Sequence, residues 1–286
     1  MPLSTRLAVA PQYFVPKRAL TAFAGWVASP ERGWVTTEII RRFVRKYGVN
    51  MDEALDSNIA SYASFNDFFT RALKPGARPL ATSDLISPVD GAISQFGPIS
   101  GDQIFQAKGH RYSTAALVGG DAALAAQFNN GSFATLYLSP KDYHRIHMPC
   151  DGRLTQMIYV PGDLFSVNPT TARGVPGLFA RNERVVCVFE SAHGPFVLVL
   201  VGATIVGSMA TVWHGLVSPP RLPDVRTWNY ADQKVELKRG DEMGRFLLGS
   251  TVVMLFPEAP LVFNPVWTPT RAIRFGEAMA NYQESI

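Results

Sequence analysis

From Leu85 onward the chain is a series of short apolar runs, rich in β-branched and aromatic residues, that end at Gly, Pro, Asn or Asp. Runs of this length and composition are typical of buried strands, and the residues between them are typical of tight turns. The sequence therefore predicts a β-rich core of short, mainly antiparallel strands. The runs are Gly131–Leu138, Leu154–Val160, Arg184–Phe189, Pro195–Val201, Thr204–Val212 and Thr251–Phe256.

The first eighty residues follow a helical pattern instead. Glu38–Tyr47 carries apolar residues on one side and four basic residues largely on another, which predicts a basic amphipathic helix. A further helix is predicted over Phe65–Leu73, and an Ala/Leu-rich stretch predicts a lone helix over Gly120–Gln127. We therefore expect an α+β protein with a helical region at 1–80 and a β-rich core at 81–286.

Charge is concentrated at the front of the chain. Residues 1–50 hold eight Lys and Arg against Glu31 and Glu38, a net charge of +6, and the whole chain carries +4, so the remainder is −2. A general nucleic-acid surface is therefore not implied. Basic and aromatic residues together can lie in the headgroup plane of an anionic membrane, or they can form helices packed on the protein's own core with a solvated basic face.

Phe196–Trp213 contains no charged residue and approaches the length of a membrane-spanning helix. It is rich in β-branched residues and interrupted by Gly202 and Gly207, so we expect two buried strands. The two cysteines, Cys150 and Cys187, are too few for a disulfide framework, and we expect a reduced, cytosol-facing chain without a signal peptide.

Three polar sites interrupt the apolar pattern: Ser87–Gly91 with Asp90 in a turn, Tyr143–Pro149 with two histidines, and Gly249–Thr251. Each has an ordinary structural explanation. Asp90 could hydrogen-bond the backbone of its own turn, one histidine could lie on the surface while the other packs in the core, and the small residues at the third site could allow close packing of a strand. A serine next to a glycine carbonyl can also attack its own backbone if a base lies nearby. The third site therefore predicts self-cleavage between Gly249 and Ser250.

Other chemistry is compatible with the same residues. His144, His147, Asp90 and Cys150 could ligate a metal, but the spacing is a weak signal and we expect none. A serine hydrolase needs a second glycine where Val252 stands. A non-catalytic carrier module would have an exposed lysine at the Asp90 turn, which the sequence lacks.

In combination and in order, the motifs between about residues 60 and 260 resemble the phosphatidylserine decarboxylase family, in its bacterial and mitochondrial form with Leu-Gly-Ser-Thr at the cleavage point. No single motif is specific, but their combination is. The motifs are Phe65–Arg71, Lys74–Pro79, Ser87–Gly91, Tyr143–Pro149, Pro161–Asn168, Asn182–Arg184, Val201–Ala203 and Lys238–Phe246 leading into Leu248–Thr251.

The resemblance implies a role for each site residue. Asp90 would orient and charge His147, His147 would take the proton of Ser250, and Ser250 would attack Gly249. The precursor would become a large β subunit, 1–249, and a small α subunit, 250–286, with a pyruvoyl group in place of Ser250. His144 would protonate the product, with His147 as the second candidate.

The resemblance also implies the reaction and its setting. The pyruvoyl group would form a Schiff base with phosphatidylserine and release carbon dioxide and phosphatidylethanolamine. The substrate lies in a bilayer, so residues 1–80 become a docking region on an anionic membrane, and the enzyme would be peripheral on the cytoplasmic side of the cell membrane. Phe165 would line the lipid entrance. The sequence leaves a homodimer of the αβ unit open.

Overall fold

The structure is a computed structural model that describes residues 9–204, 208–247 and 251–283. The helices within these ranges are Pro11–Phe14 (α1), Lys17–Ala28 (α2), Trp34–Tyr47 (α3), Phe65–Phe69 (α4), Thr114–Leu117 (α5), Ala122–Ala126 (α6), Pro169–Gly174 (α7) and Leu178–Arg181 (α8). The strands are Leu85–Ile86 (β1), Gly91–Pro98 (β2), Gln103–Ala107 (β3), His110–Ser113 (β4), Ser132–Tyr137 (β5), Arg145–His147 (β6), Gly152–Val160 (β7), Arg184–Ser191 (β8), Gly194–Val201 (β9), Met209–Thr211 (β10), Gly215–Ser218 (β11), Arg226–Asn229 (β12), Glu236–Leu237 (β13), Glu242–Phe246 (β14), Thr251–Phe256 (β15), Leu261–Phe263 (β16), Ala272–Ile273 (β17) and Ala278–Tyr282 (β18).

A nine-stranded sheet forms the centre of the molecule. Its strand order is β12-β7-β8-β9-β15-β5-β2-β17, and β13 also pairs with β7. Every pair in this sheet is antiparallel. The predicted α+β class with a β-rich antiparallel core is therefore confirmed.

Both faces of the central strand β15 are buried, which explains its unbroken apolar sequence. Val252 and Met254 belong to one hydrophobic cluster, whereas Val253 and Leu255 belong to the cluster on the other face. Successive side chains of a strand point to opposite faces, so a strand covered on both faces reads as a continuous apolar run. The run predicted at Thr251–Phe256 matches β15 in full.

A smaller sheet contains four strands in the order β11-β10-β14-β6. Its strand β14 is followed in the chain by strand β15 of the main sheet. The chain leaves the small sheet at Phe246, the end of β14, and enters the main sheet at Thr251, the start of β15. The predicted cleavage point therefore lies in the crossing between two sheets. Gly249 and Ser250 themselves are outside the described residues.

The helices at the front of the chain have a hydrophobic cluster of their own, formed by α3, α4 and neighbouring residues. Helix α3 begins at Trp34, one turn before the predicted start at Glu38. Helix α4 ends at Phe69, so the prediction of a helix to Leu73 is wrong. The reason is tertiary: Leu73 pairs with Ala54 in an extended bridge, which the helix would prevent. A domain boundary at residue 80 stays a prediction.

The described residues of the uncharged stretch Phe196–Trp213 include parts of two strands, as expected. The stretch contains the end of β9 and all of β10, and Val197–Val201 are fully buried. The strand predicted at Thr204–Val212 is shorter than expected at Met209–Thr211, and residues 205–207 lie outside the described ranges. Within those ranges, no helix combines the length and the apolar composition that crossing a bilayer requires.

Gly91 allows β2 to approach β5 immediately after the Asp90 turn. A Cβ atom at this position would lie 2.3 Å from the backbone oxygen of Tyr137, a distance that no side chain tolerates. Gly25 in α2 is a contrasting case, because nothing lies within 4 Å of its Cβ position.

Gly91→Ala should therefore lower the free energy of unfolding by about 2 kcal/mol or more, because backbone must move to relieve the overlap. Gly25→Ala should be neutral or stabilising by up to about 1 kcal/mol, since alanine is the better helix former. Denaturant unfolding of the two variants checks this. Equal loss of stability in both would contradict the close approach of β2 and β5.

Candidate active site

The two strands on either side of the predicted cleavage point end at fully buried residues. Phe246 and Thr251 both have no solvent exposure. Thr251 pairs with Tyr137 of β5 on one side and with Val201 of β9 on the other. Leu247, which follows Phe246, is half-buried and lines a cavity.

Strand β6 places both predicted histidines beside the chain that leads to this crossing. His147 is in register with Glu242 of β14, and the N–H of Phe246 donates to the carbonyl of His144 at 3.0 Å. In extended backbone two residues three apart point in different directions. Accordingly, the ring of His144 packs on Phe69 and the ring of His147 packs on Phe275.

His144 is buried, neutral and has a free ring nitrogen. Its Nδ1 lies 2.8 Å from the carbonyl oxygen of Asp142 and must carry a hydrogen, because a carbonyl can only accept. Burial lowers the pKa of His144 to about 3. Its Nε2 therefore presents a lone pair, and this atom is buried without a hydrogen-bond partner among the described residues.

Thr251 provides a second buried polar atom of the same kind. Its Oγ1 also has no hydrogen-bond partner within the described ranges. Buried polar groups without partners are rare in native proteins and call for an explanation. The two atoms belong to residues on either side of the crossing: His144 is bonded to Phe246 before it, and Thr251 follows it.

His147 has both ring nitrogens engaged. Nδ1 lies 2.8 Å from the carbonyl oxygen of Gly240, and Nε2 lies 3.0 Å from the hydroxyl of Tyr143. Burial lowers the pKa of His147, while the bond to Gly240, then the charge of Glu242 and, more weakly, that of Asp90 oppose that shift. In the neutral ring, Nδ1 donates to Gly240 and Nε2 accepts from Tyr143.

Asp90 lies in the turn between β1 and β2, close to His147 but not hydrogen-bonded to its ring among the described residues. The N–H of Phe275 donates to Asp90 Oδ1 at 2.9 Å, and the ring of Phe275 stacks on His147 with centroids 3.8 Å apart. The backbone N–H of His147 also donates to the carbonyl of Pro88 at 2.9 Å. The structure thus brings Asp90 and His147 together through Phe275 and the turn backbone.

Arg78 holds the Asp90 carboxylate, and the motif analysis assigned it no role. Its Nε and Nη2 donate to the two oxygens of Asp90, and Nη2 also donates to Glu53 at 2.7 Å. Burial alone would lower the pKa of Arg78, but the hydrogen bonds to Asp90 and Glu53 outweigh burial and raise it. The only available sequence signal was its position within the family motif Lys74–Pro79.

Phe165 is buried beneath the N-terminal helices. Its ring is 1% exposed and is covered by Tyr13 at 5.1 Å and by Lys17 Nζ at 3.7 Å. The side chain of Asn182 fixes its backbone, because it accepts from the N–H and donates to the carbonyl of Phe165. The predicted role of Phe165 at a lipid entrance stays a prediction.

Glu183 and Arg184, which follow Asn182, are buried charged residues to which the sequence analysis assigned no role. Glu183 accepts hydrogen bonds from Tyr159 at 2.6 Å and from Ser218 at 2.9 Å. Arg184 donates to carbonyls of the segment 116–117, and burial lowers its pKa to about 10. Both side chains fix the start of β8. Both residues belong to the motif Asn182–Arg184, but only their tertiary contacts distinguish them from charges on the surface.

Both cysteines are free and buried, and burial raises the pKa of Cys150 to about 12. The part of the chain that the structure describes contains no group of three or more His, Cys, Asp or Glu side chains placed to hold a metal ion. Cys150 contributes to the hydrophobic cluster on one face of the main sheet.

Comparison with known proteins identifies the family of this chain. A family model described as phosphatidylserine decarboxylase matches residues 65–281, and a second model, described as PSD, matches residues 7–48. A protein of Variovorax paradoxus (strain S110) named phosphatidylserine decarboxylase proenzyme is 79% identical over 279 residues, covering 98% of this chain and 99% of the relative. Proteins of the same name from Polaromonas sp. (strain JS666 / ATCC BAA-500) and Dechloromonas aromatica (strain RCB) are 78% and 71% identical, covering 98% of this chain in both cases and 100% and 99% of the relatives. The chain therefore belongs to the phosphatidylserine decarboxylase family.

Proposed function

We propose that this protein is a self-processing decarboxylase that converts phosphatidylserine to phosphatidylethanolamine and carbon dioxide. The observation that carries the proposal is the buried, neutral His144 with a free Nε2, placed beside the chain that enters the predicted cleavage point in a chain of this family. A proton-transfer group of this kind suits chemistry performed away from water.

In the proposed self-cleavage, the Ser250 hydroxyl oxygen bonds to the carbonyl carbon of Gly249. The bond from that carbon to the Ser250 nitrogen breaks, and the nitrogen takes up a proton. The ester formed then loses the α-hydrogen of residue 250 and releases the Gly249 carboxylate. Addition of water and loss of ammonia leave the keto group. The chain is cut into the fragments 1–249 and 250–286.

His147 is the proposed base for the first step, and its surroundings suggest the proton's route. The lone pair of Nε2 faces the Tyr143 hydroxyl at 3.0 Å. A proton leaving Ser250 reaches His147 through this hydroxyl, which passes its own proton on as it accepts the new one. The nearby negative charge of Asp90 stabilises the imidazolium that forms, and Arg78 fixes that carboxylate.

The residues that flank position 250 suit a pyruvoyl group. The hydroxyl of Thr251 is a buried donor without a partner among the described residues, as expected beside a carbonyl-bearing group, and the lone pair of His144 Nε2 is available to take up a proton. That group supplies an electrophilic carbonyl, which binds the substrate amine and accepts the electrons that carbon dioxide leaves behind.

His144 is the proposed donor of the proton that replaces the carboxyl group. It is neutral in the described structure, and the pKa of a buried imidazole rises when an anion approaches. The phosphodiester of the substrate headgroup, which keeps its charge throughout the reaction, therefore favours protonation of Nε2 on binding. The hydrogen bond from Nδ1 to Asp142 keeps the ring oriented while Nε2 delivers the proton.

We also propose that the N-terminal helices dock on an anionic membrane at the cytoplasmic face. Phe14, Phe23, Trp26 and Trp34 are between 61% and 88% exposed, which is unusual for large apolar side chains. An apolar groove of about 430 Å³ lies between α2 and α3, with Arg42 and Lys46 among its lining residues. Apolar side chains next to basic ones suit the boundary between acyl chains and anionic headgroups.

The same helices contact the loop that precedes α7. The Gln12 side chain accepts from the N–H of Ser166 at 3.0 Å and donates to Thr171 Oγ1 at 2.7 Å. Lys17 covers Phe165. Docking of α1 and α2 on a bilayer would therefore bring the Phe165 loop to the membrane surface, where the lipid substrate lies.

Ser250→Ala should leave a single band at the full 31.4 kDa, because the attacking hydroxyl is absent. The wild type and the matched control Ser132→Ala should each give a large fragment and one of about four kilodaltons, which is 37 residues at roughly 110 Da each. Intact-mass measurement distinguishes these outcomes. Normal cleavage of the Ser250 variant would refute the mechanism.

His144→Ala should be cut normally but should lose at least about 100-fold in decarboxylation rate, the size expected for a missing general acid. The exposed His193→Ala is the matched control and should retain activity. Gel analysis and carbon dioxide release from phosphatidylserine measure the two steps separately. An uncut His144 variant would instead assign this residue to self-cleavage.

Replacing Phe14, Phe23 and Trp26 together with Ser should weaken binding to anionic vesicles by about tenfold or more, since each ring loses on the order of 1 kcal/mol of apolar burial. Val262 and Val266, also about half exposed, provide the control when replaced with Ser. Vesicle flotation measures binding. Unchanged flotation of the triple variant would mean that the exposed rings serve another purpose.

A further inference from the structure

A cavity of about 380 Å³ lies beside the Asp90 turn. Gly48 and Asn50, which follow helix α3, line one part of it, and Asp90, Tyr137 and Tyr143 line another. Tyr137 is the residue paired with Thr251 across the sheet. The cavity therefore extends from the end of a proposed docking helix to the residue that pairs with Thr251.

Arg71 lines this cavity and is a buried cation without an anionic partner. Arg71 is only 5% exposed, and burial lowers the pKa of its guanidinium. Nη2 donates to the carbonyl of Lys141 at 3.3 Å, and the guanidinium lies over the Phe68 ring at 5.4 Å. Nε has no hydrogen-bond partner, and no carboxylate forms an ion pair with Arg71 within the described ranges.

The carboxylates that line the cavity are already committed to other groups. Asp90 and Glu53 both bind Arg78, and Arg274 lies 3.2 Å from Glu53. Asp142 accepts from the backbone and hydroxyl of Ser139, and burial raises its pKa. Leaving a buried charge unpaired costs several kcal/mol in general, so the free donors of Arg71 call for an anion from outside the chain.

We propose that Arg71 is the subsite for the phosphodiester of the phospholipid headgroup, an inference that rests on the proposed function. A guanidinium presents parallel N–H donors whose spacing matches two phosphate oxygens. The phosphodiester stays charged throughout the reaction. An ion pair with the departing carboxylate would instead stabilise the ground state and oppose loss of carbon dioxide.

The position of Arg71 relative to His144 fits this assignment. Phe69, two residues before Arg71, packs on the His144 ring with centroids 4.1 Å apart. The carbonyl that orients His144 Nδ1 belongs to Asp142, which also lines the cavity. A headgroup held at Arg71 would therefore have its reacting carbon near the residue proposed to protonate it.

The test compares Arg71→Gln and Arg71→Lys with the control Arg111→Gln, whose side chain is exposed and does not line the cavity. Self-cleavage is followed by gel, and KM and kcat are measured with phosphatidylserine in detergent micelles. All three variants should be cut to completion. Arg71→Gln should raise KM about tenfold or more, as expected for a lost charged hydrogen bond, with kcat changed by no more than about threefold. Arg71→Lys should fall between Arg71→Gln and the wild type, and Arg111→Gln should match the wild type.

Two soluble probes identify the anion. Glycerophosphoethanolamine carries the phosphodiester without a carboxylate, and L-serine carries the carboxylate without a phosphodiester. Competitive inhibition by the first probe should weaken about tenfold in Arg71→Gln, whereas inhibition by the second should not change. The opposite pattern would assign Arg71 to the carboxylate and overturn the proposal.

Other results would also overturn the proposal. A lower kcat at unchanged KM would mean that Arg71 acts on His144, and an uncut precursor would mean that Arg71 is needed for folding or cleavage. Failure of the proposed function is distinguishable, because then the processed wild type and the Arg111 variant would also release no carbon dioxide.

Discussion

The burial of strand β15 on both faces is the constraint on which the site depends. Val252 and Val253 pack in opposite hydrophobic clusters, while the backbone of the strand pairs with β5 and β9. A strand held in this way cannot slip by one residue, because every side chain would move to the wrong face. The end of the crossing segment is therefore fixed in space at Thr251, and its start is fixed at Phe246 by β14.

The residues of the candidate site come from three separate parts of the chain. The Asp90 turn follows β1, the histidines lie on or next to β6, and Phe275 comes from near the C-terminus. Each of these elements is short, and none would be stable without its neighbours. Their positions follow from the sheets that they join, so the geometry of the site is a property of the whole core.

The pattern of apolar residues along the chain was sufficient to predict strands, but not features that depend on residues distant in the chain. The run Thr251–Phe256 matched its strand because both faces are apolar, a property that sequence records directly. Helix α4 was predicted too long because its end depends on Ala54, which pairs with Leu73. The roles of Arg78 and Tyr143 depend on partners distant in the chain or on ring orientation. The motifs contained these residues but could not show which atoms they contact.

The segment that follows the predicted cleavage point also contributes four strands, β15 to β18, to the sheets. Strand β15 separates β5 from β9, β17 pairs with β2, and β16 and β18 form a sheet with β1. Cutting after Gly249 would leave two polypeptides held together only by noncovalent contacts, these ladders among them. Their unfolding would then release two molecules, so stability would depend on protein concentration. Reassembly would require a second-order encounter, and a mature molecule once denatured would have lost the single-chain route by which its precursor folded.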